Sequence, residues 1–583
     1  MANTDLILLH PPSIYRFRET PLFFGPVSDV IPSSSIFENY PIGFLTLSEY
    51  LTRHNISVRI INLALKMLTT PAFDPDSLIS TLKPLAFGID LHWLPHVDGS
   101  LSLAERLKFH HPDIPVIFGG LSATYFNQEI MQDYPFVDYI VCGDSTEEPL
   151  RLLMEAVRSG SGFASVPNLV WRNDAGKTVT NGISFLPENL DYVGFDYAHM
   201  LKMLIKYRDP SGYLPFRNWF SHPVLAVFSC RGCFHNCTTC GGSSSAFMNA
   251  CIRSRPAFRS PHLLAEDIAN IARFSGAPVM IIGDMLQSGR EYVDAFFKAM
   301  RKHPVKNELA FEFFHPPDAA FVRQLADSIE NFNVELSPES HDVQVRKAFG
   351  KGFDNAELEA SIAALVNSSC KRIDLFFMVG LPHQDYASVM NSVSYCGELL
   401  ERFGGTGKLL PMMAPLAPFV DPGSRIFEEP EKHGYRLYYR SLKEHRKAML
   451  LPSWKQRLNY ETEWMSRTDI VNATYDGALG LIALKALHGI ITNTAADEIS
   501  EHIIRAREVI RRLDTSAVID RALAAEINDL NRFDSLCGKH ELDWHVTGSR
   551  YHLASILKSL LADSGTVAAK EVFPGRQHSA VIS

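Results

Sequence analysis

The sequence predicts an α/β protein in three parts: a doubly wound parallel sheet over residues 1–190, a second run of alternating strands and helices over 191–425, and a mostly α-helical region over 426–583. Three observations carry this. Through the first 150 residues, apolar residues switch between short continuous runs and helical spacing. The same alternation resumes near residue 224 and persists to about 415. Beyond residue 426, apolar residues recur at i, i+3 and i+4 almost throughout. A chain of 583 residues is too long for one core, so two to four domains are expected.

The first part reads in order. "TDLILLHPPS" is a strand stopped by Pro11 and Pro12, "PIGFLTLSEYLTRH" a helix and "SVRIINL" a strand. "LAFGIDLHW" is a strand running into a loop, "LSLAERLKFHH" a helix, and "PVIFGG" a strand ending in Gly119-Gly120. "QEIMQDYP" (helix), "VDYIVCGD" (strand) and "TEEPLRLLMEAVRSG" (helix) close the unit. Strands alternating with helices give a parallel sheet wound on both faces, a Rossmann-like arrangement. Ligands of such sheets bind outside the carboxyl ends of the strands. Those ends are Pro12, Gly88 to His92, Gly119-Gly120 and Gly143-Asp144, where glycine lets backbone approach a nucleotide-sized ligand. A flavodoxin-like module without a cofactor is the alternative.

The second part opens on "CRGCFHNCTTCGG", residues 230–242, which holds four of the chain's nine cysteines. Structural zinc wants two C-x-x-C pairs separated by a dozen or more residues, and here only "FHN" separates them. A thioredoxin-type pair would not crowd four thiols. Iron–sulfur chemistry fits better, because Cys233-x-x-x-Cys237-x-x-Cys240 offers three thiolates from one short loop. Three thiolates on a four-iron cluster leave one iron open to bind and reduce a ligand. Cys230 is then expected off the cluster, and Cys142, Cys251, Cys370, Cys396 and Cys537 are read as small packing residues.

The third part begins after the proline-rich "LLPMMAPLAPFVDPGSRIF". The basic and aromatic stretch "GYRLYYRSLKEHRKAMLLPSWKQRLNY" reads as a solvated helix face with buried tyrosines, or as a site for an anionic group. Trp454, Tyr460 and Trp464 are candidates to line a substrate site where this region caps the second part. "GALGLIALKALHGIITNTA" contains Lys485 and His488 and reads as a buried helix rather than a membrane span. The final "KEVFPGRQHSAVIS" is expected to fray.

These motifs resemble the cobalamin-dependent radical SAM family. "PPS … YPIGFLTLSEYL … FGIDLHW … VIFGGLSAT … YIVCGDSTEEPL" looks like that family's cobalamin-binding domain, and "SCRGCFHNCTTCGG" looks like its cluster loop. The second part then implies a partial (β/α)6 radical SAM barrel. The likeness implies that Gly119, Gly120 and Ser122 line the nucleotide tail of cobalamin and that Asp90, Leu91 and His92 face the corrin. Pro12, Gly43, Gly143 and Asp144 complete that expected site. The family's D-x-H-x-x-G motif is missing after the first strand, so cobalamin without the lower-face histidine is implied. Cys233, Cys237 and Cys240 are the implied ligands of a 4Fe-4S cluster. For S-adenosyl-L-methionine (SAM) the likeness implies Gly283-Asp284 at the amine, Glu339 and Ser340 with Arg346 nearby, and Gly380 to Pro382 beside the adenine. Two positions depart from the usual pattern: Thr239 replaces a common aromatic, and Asp284 stands where glutamate is usual.

The resemblance implies an enzyme that cleaves SAM to a 5′-deoxyadenosyl radical and methylates an unactivated carbon through methylcobalamin. A non-methylating rearrangement or cyclisation, or a non-catalytic cobalamin or SAM sensor, are the alternatives. An external electron donor such as flavodoxin or ferredoxin and a small-molecule or lipid substrate are implied as partners. A net charge of −9 gives no electrostatic case for nucleic acid. The N-terminus lacks the basic region of a signal peptide and no disulfide framework is visible, so a cytoplasmic setting is expected.

Overall fold

The computed structural model describes residues 4–26, 34–415, 420–515, 518–532, 541 and 544–556. Cys537 and the expected frayed terminus lie outside the described residues.

Seven strands form the first sheet: β1 (Leu6–His10), β2 (Val58–Asn62), β3 (Ala86–Asp90), β4 (Val116–Gly119), β5 (Tyr139–Val141), β6 (Leu169–Arg172) and β7 (Thr178–Thr180). They lie in the order β2-β1-β3-β4-β5-β6-β7. β1 to β5 are parallel, and the strand order reverses between β1 and β3, where a doubly wound sheet opens its ligand crevice. Burial on both faces explains the continuous apolar runs: Ile7 and Leu9 enter one core cluster, Leu6 and Leu8 the other. β6 and β7 add an antiparallel hairpin that the strand–helix alternation did not foresee.

The second sheet contains β8 (Leu225–Phe228), β11 (Val279–Ile282), β12 (Leu309–Phe313), β13 (Phe332–Glu339), β14 (Cys370–Val379) and β15 (Leu409–Pro415). Between its first two strands, β9 (Cys230–Arg231) and β10 (Ala257–Phe258) form a short antiparallel pair. All six long strands are parallel in the order β15-β14-β13-β12-β11-β8, with β8 and β15 as the ends of an open barrel. Alternate residues such as Leu309, Phe311 and Phe313 pack outward onto the surrounding helices, and Glu312 and Glu335 stand in register on the other face.

The helices Tyr197–Tyr207 and Pro210–Tyr213 pack against the first sheet and its helix Gly43–Arg53. The first unit therefore reaches past residue 190 to about residue 213. Beyond the barrel, β16 (Tyr435–Leu437) and β17 (Tyr460–Thr462) pair, and three helices follow: Arg467–Leu487, Asn493–Thr515 and Arg521–Leu530. The helix Arg467–Leu487 is long and apolar enough to cross a membrane by length and composition. Here it lies on β15 and the helix Tyr386–Phe403. A Cβ on Gly477 would come within 2.6 Å of Met413 Sδ, so glycine permits that close approach. Its buried Lys485 donates to Glu541 at 2.5 Å.

Candidate active site

A cavity of about 850 Å³ joins the strand ends of the first sheet to the mouth of the barrel. From the first unit it is lined by Gly43, Asp90, His92, Gly119, Gly120, Gly143 and Asp144. From the barrel it is lined by Cys230, Arg231, Gly232, Ile282 and Glu312. A slot between the sheet and its helices, walled by Leu8, Phe44, Leu47, Ile117, Val141 and Leu150, extends the same space.

The loops after β3 and β4 hold each other. Gly120 has φ +107°, and a Cβ there would lie 2.6 Å from the His92 backbone. The Ser122 N–H and Oγ donate to the His92 carbonyl at 3.2 and 3.1 Å. Gly120 thus lets one loop approach the other, and Ser122 is a loop clasp outside the cavity lining. Leu91 is fully buried in the core, and Pro12 packs on Gly99, where a Cβ would meet the Pro12 carbonyl. Neither lines the cavity, contrary to the expectation for both. His92 does line it, its ring edge-on to Trp93, and burial lowers its pKa, against the opposing charge of Asp90. Asp90 pairs with His10 at 2.9 Å, which leaves its Oδ2 buried without a partner. An apolar slot, a glycine-lined rim and an orphaned acceptor fit the nucleotide tail and polar ring edge of cobalamin.

Two buried ion pairs lock the units together. Arg231, between two of the loop cysteines, donates to Glu147 at 2.6 and 2.9 Å. Thr46 and Tyr192 also donate to that carboxylate, at 2.8 and 3.2 Å. Burial would raise the Glu147 pKa, but Arg231 outweighs it and holds the carboxyl below the usual glutamate range. Asp144 is spent on Arg253, which donates from both Nε and Nη2.

Cys233, Cys237 and Cys240 share one half-buried loop. Their spacing keeps them on one short loop, and among the described residues no three His, Cys, Asp or Glu side chains are gathered closely enough to hold one metal ion. The loop is pinned from several sides. Thr238 N–H donates to Phe349 O at 2.8 Å, and Gly241 N–H to Asp421 at 2.8 Å. Burial pushes the Cys240 thiol well up, and the Gly242 N–H, pointing at its Sγ from 3.2 Å, opposes that rise. Burial raises the Cys237 pKa and the nearby Lys351 cation opposes it. Three free thiols on a rigid loop, with an N–H aimed at one sulfur and a cation near another, fit a three-thiolate cluster. Cys230 stands apart on β9: its buried thiol faces Gly232 O at 3.8 Å and lies close to Gly283.

The expected SAM residues divide. Glu339 ends its strand at φ +65°, a strained conformation for a residue other than glycine, and its carboxylate pairs with Lys351 at 2.7 Å. Gly380 has φ +97°, and a Cβ there would lie 2.7 Å from the Tyr460 hydroxyl. That hydroxyl is buried and unpartnered, which fits a hydrogen bond to the adenine expected beside Gly380 and the buried Pro382. Asp284 is occupied by its own turn: its two oxygens accept from Leu286 N–H at 2.9 Å and Phe314 N–H at 3.1 Å. Gly283 N–H donates instead to Glu312 at 2.5 Å. Arg346 is fully buried and donates to the carbonyls of Pro338, Ser340 and Phe353 and to Asn355. It is a backbone clamp rather than a SAM contact. Ser340 Oγ accepts from Asp342 N–H at 3.1 Å and likewise serves its own turn.

Trp454 and Tyr460 are buried, and Trp464 packs on His383; none lines the cavity. Sequence reasoning missed Glu312, Lys351 and the pairs of Arg231 and Arg253. Lysine or arginine beside a cysteine loop was the only available signal, and it names no partner.

Comparisons with known proteins agree with this geometry. Residues 30–153 match the B12 binding domain family. The chain is 27% identical over 169 residues to the anaerobic magnesium-protoporphyrin IX monomethyl ester cyclase of Rubrivivax gelatinosus, a match spanning 28% of each protein. The structure is similar to the radical S-adenosylmethionine methyltransferase TsrM of Kitasatospora setae, solved with cobalamin and a [4Fe-4S] cluster. That likeness has a TM-score of 0.57 at 12% identity and covers 88% of this chain and 100% of that one. It is also similar to the cobalamin-dependent S-adenosylmethionine radical enzyme OxsB, with a TM-score of 0.55 at 14% identity over 96% of this chain and 78% of that one. At these identities the structural likenesses speak to the fold. Residues 30–153 thus carry a match to the B12 binding domain family, and the structure as a whole shares the fold of the cobalamin-dependent radical S-adenosylmethionine enzymes TsrM and OxsB.

Proposed function

We propose that the chain is an enzyme that cleaves SAM reductively and methylates an unactivated carbon. Its cofactors are cobalamin, SAM and a [4Fe-4S] cluster held by Cys233, Cys237 and Cys240. The observation that carries this reading is the shared cavity, in which the strand-end loops of the first sheet face Cys230, Arg231 and Glu312 of the barrel. The cluster, held on the loop that follows the cavity-lining Cys230 to Gly232, would supply the electron that cleaves SAM, and cobalamin would carry the methyl group.

The chain's own residues position and shield. The Arg231–Glu147 and Arg253–Asp144 pairs fix the loop after β8 against the strand ends of the first sheet. The largely apolar lining excludes water, which protects a reactive intermediate from side reactions. Lys351 sets a positive charge between Glu339 and the cysteine loop. Tyr460 offers a free hydroxyl near Gly380. The electron donor in this reading is a small redox protein of the flavodoxin or ferredoxin type, and the setting is cytoplasmic.

Radical cyclisation is the second reading, supported by the likeness to a cyclase. Anaerobic reconstitution with iron, sulfide, cobalamin, reductant and labelled SAM separates the two. Methyl transfer yields 5′-deoxyadenosine together with S-adenosylhomocysteine, whereas cyclisation yields 5′-deoxyadenosine alone. If neither product forms even with cell extract as the substrate source, the enzymatic reading fails.

A further inference from the structure

The cavity continues past the strand ends along β8, the free edge strand of the barrel. This arm passes Met280 and Val224 and reaches Trp219, Phe274 and Tyr551 at the opposite end of the strand. Its walls are apolar, the polar groups along its length are satisfied, and the buried Tyr551 hydroxyl at its far end has no partner. Tyr197 Oη donates to Ala226 O at 2.9 Å and accepts from Ala226 N–H at 3.2 Å, which closes the strand edge. Trp219 Nε1 donates to Val224 O at 2.8 Å, leaving only ring surface toward the arm. Between its two ends the arm offers no partner to a polar body, whose burial there would go uncompensated.

Four carboxylates line the whole cavity: Asp90, Asp144, Glu147 and Glu312. The first three are paired, with His10, Arg253 and Arg231. Glu312, at the barrel end of the arm, accepts the Gly283 N–H and has no cation within 4.0 Å among the described residues. It is the polar group on this side left to receive a ligand.

We infer that the arm along β8 binds the substrate, an elongated apolar molecule whose inner end carries a hydrogen-bond donor, a hydroxyl or an ammonium, received by Glu312. This rests on the reading that the reaction takes place in the shared cavity. A few well-placed polar groups at one end of an apolar pocket fix the orientation of such a ligand.

The test is equilibrium dialysis of radiolabelled dodecylamine, dodecanol and dodecanoate against protein reconstituted with cobalamin and cluster. One dodecylamine or dodecanol per chain is expected, with dodecanoate at least tenfold weaker. Val224→Trp and Met280→Trp, which obstruct the middle of the arm, should each weaken dodecylamine at least tenfold with cobalamin absorbance retained. E312Q should weaken dodecylamine at least tenfold and dodecanol less than threefold. Equal binding of the three probes, or unchanged binding in both tryptophan variants, overturns the inference. SAM cleavage is read on the same preparation. Selective binding without cleavage leaves the site standing and removes the proposed reaction, and cleavage without selective binding does the reverse.

Discussion

Replacing Glu147 should loosen the two cofactor-bearing units from each other by a predictable amount. Glu147 is 1% exposed, receives both arms of the Arg231 fork, and has Thr46 and Tyr192 on its remaining lone pairs. The Arg231 guanidinium also stacks 4.8 Å from the centroid of the Phe228 ring. E147Q keeps the shape and removes the charge, stranding a buried cation. Breaking such a pair costs about 3–5 kcal/mol. For a unit of this size that is a fall of on the order of 10 °C in the thermal midpoint. Calorimetry of the cobalamin-loaded protein reads it. E508Q, in the exposed Arg511–Glu508 pair, serves as the control and should give no measurable shift. Joining E147L to R231M should recover much of the loss, because an apolar pair strands no charge. The pH dependence has a definite sign. The folded Glu147 pKa is depressed, so its contribution is complete above the ordinary glutamate value of about 4.3 and is lost as pH falls through the lower folded value. If E147Q shifts the midpoint no more than E508Q, the lock between the units is refuted.

Other outcomes follow from the same geometry. Alanine at Cys233, Cys237 or Cys240 should abolish the visible absorbance of the reconstituted cluster, and C230A should retain it; loss in C230A would contradict the ligand set. K351M removes a cation facing Cys237 and should lower the reduction potential of the cluster in an electron paramagnetic resonance titration, so an unchanged or higher potential counts against that placement. G120A must accommodate a Cβ 2.6 Å from the His92 backbone at φ +107°. It should weaken cobalamin retention at least tenfold while the cluster still forms, and wild-type retention would show that the loops do not depend on this contact.

Much of the fold was legible because its determinants are local. Double-sided burial makes β1 and β3 continuous apolar runs, and "GG" and "CGD" mark turns where glycine is needed. The cysteine loop was legible for the same reason: three ligands within eight residues need no tertiary information. The hairpin of β6 and β7 was carried by "VWRNDAGKTVT", a strand–turn–strand pattern that lies beyond the last helix predicted for the unit. Roles that depend on distant partners were not legible. Arg346 follows the "E-S" motif in sequence yet turns inward onto four backbone and side-chain acceptors. Asp284 occupies the turn expected at the SAM amine but caps it, and the Gly283 N–H goes to Glu312 on another strand. Glu147 reads as an ordinary first-turn acid of a helix, and only the packing of barrel on sheet brings Arg231 to it.

The central claim is that the cluster loop and the cobalamin site open onto one cavity. Electron paramagnetic resonance of protein holding both a reduced cluster and cob(II)alamin tests it most directly. The account predicts that the two paramagnets broaden and split each other's signals, and that the effect is lost in C233A. A spectrum equal to the sum of the cluster-only and cobalamin-only samples would contradict it.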